Sequence, residues 1–429
     1  MVNKKPVLFD IYPNLEGKVP WLPLLTGIPS NIDRLKELEK HLSLDGGAIY
    51  IKRDDKVHNI YGGNKPRKLE FIFGEVLLKK KKGIITLGGL GTNHGLACTI
   101  IAKELGLKSE LFLSLQPLTW HVQRSLLLYD YFGAKLHFTK KFELGILKSL
   151  LYRLVHPKLY LISIGGTPLF GVGTPLGSIG FINAICELKK QIEQEILPEP
   201  DYIFVAAGSI GTSAGLTAGC QLLGLKTKVL AVSVNRDSII NPKALIKIGN
   251  KAINYLRKRD ISLEDIDITE ENFEIIKGYL GSGYGRITIK SQNAVDLVYE
   301  LEGKQKSFKL ETTYTGKTMA AMLDFLGKTE NKSKTVLFWN TYNSNDLDTY
   351  LKETKLEYQK LPKKFHKYYT RKRFQCWQIT NCPENIKSKC PAYLNHEYRF
   401  WKVSECQLED SKKDEARKYI NEIIQLENA

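Results

Sequence analysis

No apolar run in this chain approaches the roughly 20 residues needed to cross a bilayer. The opening MVNKKPVLFD also lacks the hydrophobic stretch of a secretory signal. A membrane span and export are therefore not expected, and cytoplasmic residence is the default. No internal repeat is found either. What is present is the composition of a folded, soluble protein, 43% hydrophobic and 25% charged, over 429 residues. That length suits about two to three compact units. The net charge of +17 raises the question of nucleic acid, but most of the excess is scattered lysine with few clustered arginines. Nucleic-acid binding is not expected from it, although one dense block, KKFHKYYTRKRF at 363–374, stands out.

From about residue 45 to 345, short β-rich runs alternate with helix-length segments. Strands are expected at 48–55, 83–89, 109–115, 158–166, 201–209, 228–235 and 335–341. Helical patterns follow at GLACTIIAKELGL and SAGLTAGCQLLGL. Strand, glycine turn and helix in succession predict a parallel α/β fold whose ligands gather at the carboxyl ends of strands. The loops at 88–95 and 206–215 are the places to look. Before this region IDRLKELEKHL reads as a helix packed on the main body, and a boundary is expected near 346–360.

Three segments carry candidate chemistry. In IYIKRDDKVHNIYGGNKPRKLEF, Lys65 follows a Gly-Gly-Asn turn and precedes a helical run. Burial there would lower its pKa enough for Schiff-base chemistry, although a turn before a basic helix start explains the pattern equally well. In GGLGTNHG, Thr92, Asn93 and His94 present a hydroxyl, an amide and an imidazole at a helix entry, a combination that could hold a carboxylate. The plainer reading is a capped helix start. In AAGSIGTSAGL, the backbone from Ser209 to Thr212, with hydroxyls of Ser209, Thr212 and Ser213, could cradle a phosphate. No Lys follows its last Gly, so it is not a nucleoside-triphosphate loop, and it lacks dinucleotide-fingerprint spacing.

YIKRDD, GGNKPRKLE, GGLGTNHG, AAGSIGTSAGL, GSGYG and TTYTGKTM, in that order, resemble the pyridoxal 5′-phosphate (PLP) dependent family of 1-aminocyclopropane-1-carboxylate deaminase and D-cysteine desulfhydrase, over roughly residues 20–345. The resemblance implies a two-domain tryptophan-synthase-β-like fold (fold type II) with parallel-rich sheets flanked by helices. Residues 1–64 and 183–345 would form the larger cofactor-binding domain, and 65–182 the smaller one. It further implies that Lys65 holds the cofactor as a Schiff base, with Asn64 fixing the turn. Asn93 would bond the cofactor's 3′-oxygen, and Gly208, Ser209, Ile210, Gly211 and Thr212 its phosphate. Thr92 and His94 would receive the substrate carboxylate, while Tyr284 and Tyr314 would surround the substrate and assist proton transfer. Ile210 stands where a small residue is common, and Thr92 where the family usually has Ser.

Ring-opening members resemble one another in carrying Glu after the second tyrosine, facing the pyridine nitrogen. This chain has Thr315 there. A hydroxyl cannot hold a pyridinium, so the resemblance favours β-elimination from a small amino acid such as D-cysteine, with 1-aminocyclopropane-1-carboxylate deamination as the alternative. The loop from Asn340 to Ser344 is bulkier than the usual His-Thr-Gly-Gly end, which leaves the substrate open. Relatives of this kind are usually homodimers.

Residues 346–429 form a basic, Cys-rich extension outside the resemblance. Cys376, Cys382, Cys390 and Cys406 are candidates for zinc or an iron–sulfur centre, whereas Cys98, Cys186 and Cys220 lie singly in apolar segments as buried thiols. None of the four-cysteine gaps is the compact knuckle of common zinc fingers, so a small capping subdomain with reduced thiols, finished by the helix SKKDEARKYINEIIQL, stays open. Two other classes also stay open: a non-catalytic PLP-binding regulator with a partner-docking tail, and a nucleic-acid-binding fusion using 363–374.

Overall fold

The structure is a computed structural model that describes residues 5–116, 120–168, 173–281, 283–353 and 358–370. Its strands are β1 (Ile32–Arg34), β2 (Ala48–Lys52), β3 (Gly83–Gly89), β4 (Lys108–Ser114), β5 (Ala134–Thr139), β6 (Leu159–Leu161), β7 (Tyr202–Ala207), β8 (Lys228–Ser233), β9 (Phe273–Ile276) and β10 (Thr335–Trp339). Four of them form a parallel sheet in the order β5-β4-β3-β6. The other six run β1-β2-β10-β7-β8-β9, parallel except for β1. Strands buried on both faces read as nearly continuous apolar runs, as IFVAA in β7 and VLFW in β10 do.

All seven expected strands are present. The segment at 158–166 is shorter than its apolar pattern suggested, because Gly165 and Gly166 take φ of +62° and +63° and turn the chain after Leu161. Three strands went unread. β9 is four residues long and follows an acidic stretch, β5 mixes charged with apolar residues, and β1 occupies the start of the segment expected to be helical. Ile32–Arg34 instead pairs with Tyr50–Lys52, and the helix spans only Lys36–His41. Leu35 and Leu38 still pack into the core, as the apolar spacing required.

One buried cluster of charges ties these layers together. Lys52 ends β2, Asp54 follows it, Arg67 lies on the helix Asn64–Leu78, and Glu187 lies on the helix Leu176–Glu193. The Arg67 guanidinium donates to both oxygens of Asp54 at 2.7 Å and to Glu187 at 3.1 and 3.2 Å. The Lys52 ammonium donates to Glu187 at 2.6 Å, and Trp339 at the end of β10 donates its indole N–H to Asp54. Two cations and two anions cancel, and the hydroxyl of Ser30 bonds Asp54 at 2.8 Å. Burial pushes the Glu187 carboxyl up, but Arg67 and Lys52 outweigh it and hold it at about 2.

Glu187→Gln leaves two buried cations facing one anion. It is expected to lower unfolding free energy by about 3–5 kcal/mol in urea titrations. Because the folded pKa of Glu187 lies below its unfolded value near 4.5, its contribution is complete above that pH and is lost as pH falls toward 2. Denaturation midpoints across that window should fall in the native chain and flatten in the variant.

Candidate active site

A cavity of about 450 Å³ opens between the carboxyl ends of the two sheets, within the size range of small-molecule sites. The turn Gly62-Gly63 delivers one wall. Gly63 has φ of +85°, and a Cβ there would lie 2.5 Å from the Thr341 carbonyl, so only glycine fits. The Gly63 amide donates to the Asp54 carbonyl at 2.7 Å, and that of Gly62 to the Asn343 side chain at 2.7 Å. The charged cluster and this turn thus fix the start of the Asn64–Leu78 helix. Lys65 is its second residue and lines the cavity, and burial lowers its pKa to about 8.

Lys68, one turn on, was not singled out from the sequence. It is fully buried, with its ammonium 3.0 Å from the Gly165 carbonyl and 3.3 Å from the Thr167 hydroxyl. Burial, with Lys65 beside it, lowers its pKa well below the usual lysine range. Thr167 in turn bonds Ser209 at 3.0 Å, so this amine sits directly behind the glycine-rich loop. The three-residue spacing from Lys65 on one helix face was the available signal.

The second wall is the entry to the helix Asn93–Glu104. Thr92 is its N-cap, accepting from the Gly95 amide at 3.2 Å, so the capping alternative is realised while Thr92 also lines the cavity with Asn93 and His94. His94 is buried, with its Nε2 3.6 Å from the Cys98 sulfur. Burial, then Lys65 and Lys68, lowers its pKa well below normal, so the imidazole is neutral near pH 7.

The third wall is the loop after β7. Ile210 takes the left-handed conformation at φ +61°, and the helix Gly211–Leu222 begins immediately after it. Gly208, Ser209, Ile210 and Thr212 face the cavity, and Asn64 donates to the Thr212 hydroxyl at 3.1 Å. A helix N-terminus, two hydroxyls and a buried lysine behind them form a donor set suited to a phosphate. The residues present therefore fit PLP, with Lys65 to bond it and this loop to hold its phosphate. Gly211 is not among the residues lining the cavity.

Tyr314 and Tyr284 complete the enclosure. Their hydroxyls are hydrogen-bonded to each other, and their rings meet edge to face at 5.9 Å. Desolvation within the cavity raises both phenols, although Tyr284 is 42% exposed, so both stay protonated at neutral pH. Thr315 is buried but does not line the cavity. Its hydroxyl is turned back to the segment before its own helix, accepting from the Glu311 amide at 2.8 Å. Glu311 itself reaches the wall, with its carboxylate taking the amides of Thr313, Tyr314 and Thr315 at 2.7, 2.7 and 3.0 Å. Sequence reasoning missed this carboxylate, whose signal was an acid four residues ahead of a helix start. Thr341, Tyr342 and Asn343 also line the cavity, which puts the bulkier loop after β10 at the site.

The comparisons with known proteins agree with this geometry. Residues 24–341 match the pyridoxal-phosphate dependent enzyme family model, and the chain belongs to that family. It is 30% identical to D-cysteine desulfhydrase of Klebsiella pneumoniae (strain 342), over 76% of this chain and 95% of the relative. It is also 30% identical to a Thermotoga maritima protein provisionally named 1-aminocyclopropane-1-carboxylate deaminase, over 73% of this chain and 93% of that one. A solved structure of an ACC deaminase homologue superposes with a TM-score of 0.63 at 25% identity, covering 79% of this chain and 95% of the other. The chain is a PLP-dependent lyase or deaminase of the α/β type expected.

The proposed metal ligands Cys376, Cys382, Cys390 and Cys406 lie outside the described residues. Among the described residues no group of three or more His, Cys, Asp or Glu is placed to hold a metal, and Cys98, Cys186 and Cys220 are buried and unpaired to any disulfide. No described helix is long and apolar enough to cross a membrane.

Two measurements follow. Only the neutral Lys65 amine reacts with an aldehyde, so attachment of PLP to apo-protein should accelerate with pH up to about 8 and level above it. Borohydride reduction and peptide mapping should place the adduct on Lys65. Lys68→Met removes a hydrogen bond that supports Thr167 and, through it, Ser209, and should weaken cofactor affinity by roughly 3- to 10-fold, read by equilibrium dialysis, as expected for loss of one hydrogen bond behind the loop.

Proposed function

We propose that this enzyme eliminates the β-substituent of a small D-amino acid, with D-cysteine plus water giving pyruvate, ammonia and hydrogen sulfide. The observation that carries the reading is a cavity that brings Lys65 together with the Thr92–His94 helix entry, in a chain 30% identical to a D-cysteine desulfhydrase and with Thr315 rather than Glu after Tyr314. PLP, when bound, supplies the electron sink for bond breaking at Cα. The chain's own residues do the rest. Lys65, uncharged above about pH 8, takes the Cα proton. The N-terminus of the Asn93–Glu104 helix, with Thr92 and neutral His94, receives the substrate carboxylate, and Asn93 bonds the cofactor ring oxygen. The protonated Tyr284–Tyr314 pair stands ready to donate a proton to the departing sulfur or to orient the amino group.

Deamination of 1-aminocyclopropane-1-carboxylate is the second reading. It is favoured by Glu311, a carboxylate on the cavity wall within hydrogen-bonding range of the first turn that carries Thr315. A homodimer, a cytoplasmic setting, and a smaller unit of 65–182 working against a larger one of 1–64 and 183–345 complete the proposal. The position of all four β3–β6 strands within residues 83–161 supports that division.

Purified holoenzyme should release pyruvate and sulfide from D-cysteine at least about 100-fold faster than it releases 2-oxobutyrate from the cyclopropane substrate, a difference of about 2.7 kcal/mol between barriers. Lys65→Ala should remove both activities. Thr315→Glu should narrow the ratio by at least tenfold. Faster 2-oxobutyrate release by the native enzyme would replace the first reading with the second.

A further inference from the structure

The helix Phe142–Val155 is apolar on both faces. Gly145 and Ser149 are buried on its inner side, where Phe142, Ile146, Leu150 and Tyr152 pack against Ile85, Leu87, Phe112, Leu159 and Leu161 of the four-stranded sheet. Its outer side carries Leu144, Leu147, Leu151 and Leu154 at three- and four-residue spacing, one stripe along the whole helix. Their exposures are 39%, 54%, 53% and 75%, and Val155 beside them is 72% exposed. A helix apolar all round belongs in an interior, and four leucines aligned in water mark a surface meant to be covered.

The described chain ends beside this helix. The helix Lys363–Thr370 seats Phe365 and Tyr368 against Phe138 of β5, with ring centroids 5.8 and 6.5 Å apart. Tyr369 and Tyr368 are tied to Gln123 by hydrogen bonds of 2.7 and 2.6 Å. Lys364 lies within charge range of Lys148 on the Phe142–Val155 helix. Lys363, Lys364 and Lys367 are thus exposed while Phe365, Tyr368 and Tyr369 anchor the chain beside the small sheet. Residues 371–429 continue from that anchor, far more chain than is needed to span a 14-residue helix of about 21 Å. Their last part, SKKDEARKYINEIIQL, repeats apolar residues at Ala416, Tyr419, Ile420, Ile423 and Ile424 with helical spacing. Its charges are mixed, Asp414, Glu415 and Glu422 among Lys412, Lys413, Arg417 and Lys418, and the leucine stripe is likewise flanked by exposed Glu143, Lys148 and Arg153. The apolar pattern and the point of departure match.

We infer that residues 411–426 of this same chain dock as an amphipathic helix on the leucine stripe of Phe142–Val155. The N-terminal residues of that helix, Phe142 and Glu143, line the cavity.

The test uses the full chain with photoreactive benzoylphenylalanine in place of Leu151 and, separately, Leu147. Irradiation should give cross-linked peptides joining these positions to residues 411–429, on a species of single-chain mass in a denaturing gel. Ile420→Asp with Ile423→Asp should reduce that yield roughly tenfold or more, since two apolar contacts are replaced by charges. A cross-linked dimer would instead make the stripe an interface between copies. Co-sedimentation of the full chain with phosphatidylglycerol–phosphatidylcholine vesicles, abolished by Leu147→Asp, would make it a membrane-binding face. Either result overturns the inference, as does cross-linking to any other segment, no cross-link at all, or an unchanged yield in the double aspartate variant.

Discussion

The position of Lys65 depends on charges that never touch the cavity. Arg67 is two residues further along the same helix, and its guanidinium, like the Ser30 hydroxyl, bonds both Asp54 after β2 and Glu187 on the neighbouring long helix. Asp54 also takes the indole of Trp339 through its side chain and the Gly63 amide through its carbonyl. One residue therefore clamps the sheet edge, the glycine turn and the reactive helix in a single arrangement. Buried ion clusters gain little stability over a well-packed apolar core of the same volume. Their geometric demands are strict, however, and here they are imposed next to the nucleophile.

Much of the architecture could be read in the sequence because a parallel sheet covered on both faces writes itself as short apolar runs followed by glycine turns. Segments with weaker apolar signals were the ones missed. AKLHFT buries only Ala134, Leu136 and Thr139, and FEII is too brief to carry a period. Ile32–Arg34 was lost for a different reason, since a three-residue pairing with β2 decided what local propensity alone assigned to helix.

At the site, legibility followed the same logic. Residues that lie in glycine-rich loops, Lys65, Thr92 to His94 and Ser209 to Thr212, could be found because such loops have few other uses. Lys68 and Glu311 were not found, since a lysine and a glutamate at helix starts are ordinary in sequence. Only their burial, and the carbonyls and amides around them, separates them from surface charges. Thr315 shows the opposite case. It was expected to face the cofactor, but it does not line the cavity and its hydroxyl is committed to the Glu311 amide, a relation that spacing alone does not encode.

The strand order of the larger sheet also governs how this chain can be made. β10 lies between β2 and β7, so the sheet has a gap at its middle until residues 335–339 have left the ribosome. The smaller sheet faces no such delay, since its last strand ends at Leu161. Synthesis should therefore yield an early folded unit carrying the leucine stripe, while β2 waits through nearly 300 residues for its neighbour. Pairing across that separation is slow and leaves strand edges open. The amphipathic segment at the end of the chain emerges later still, only after the central gap has been filled.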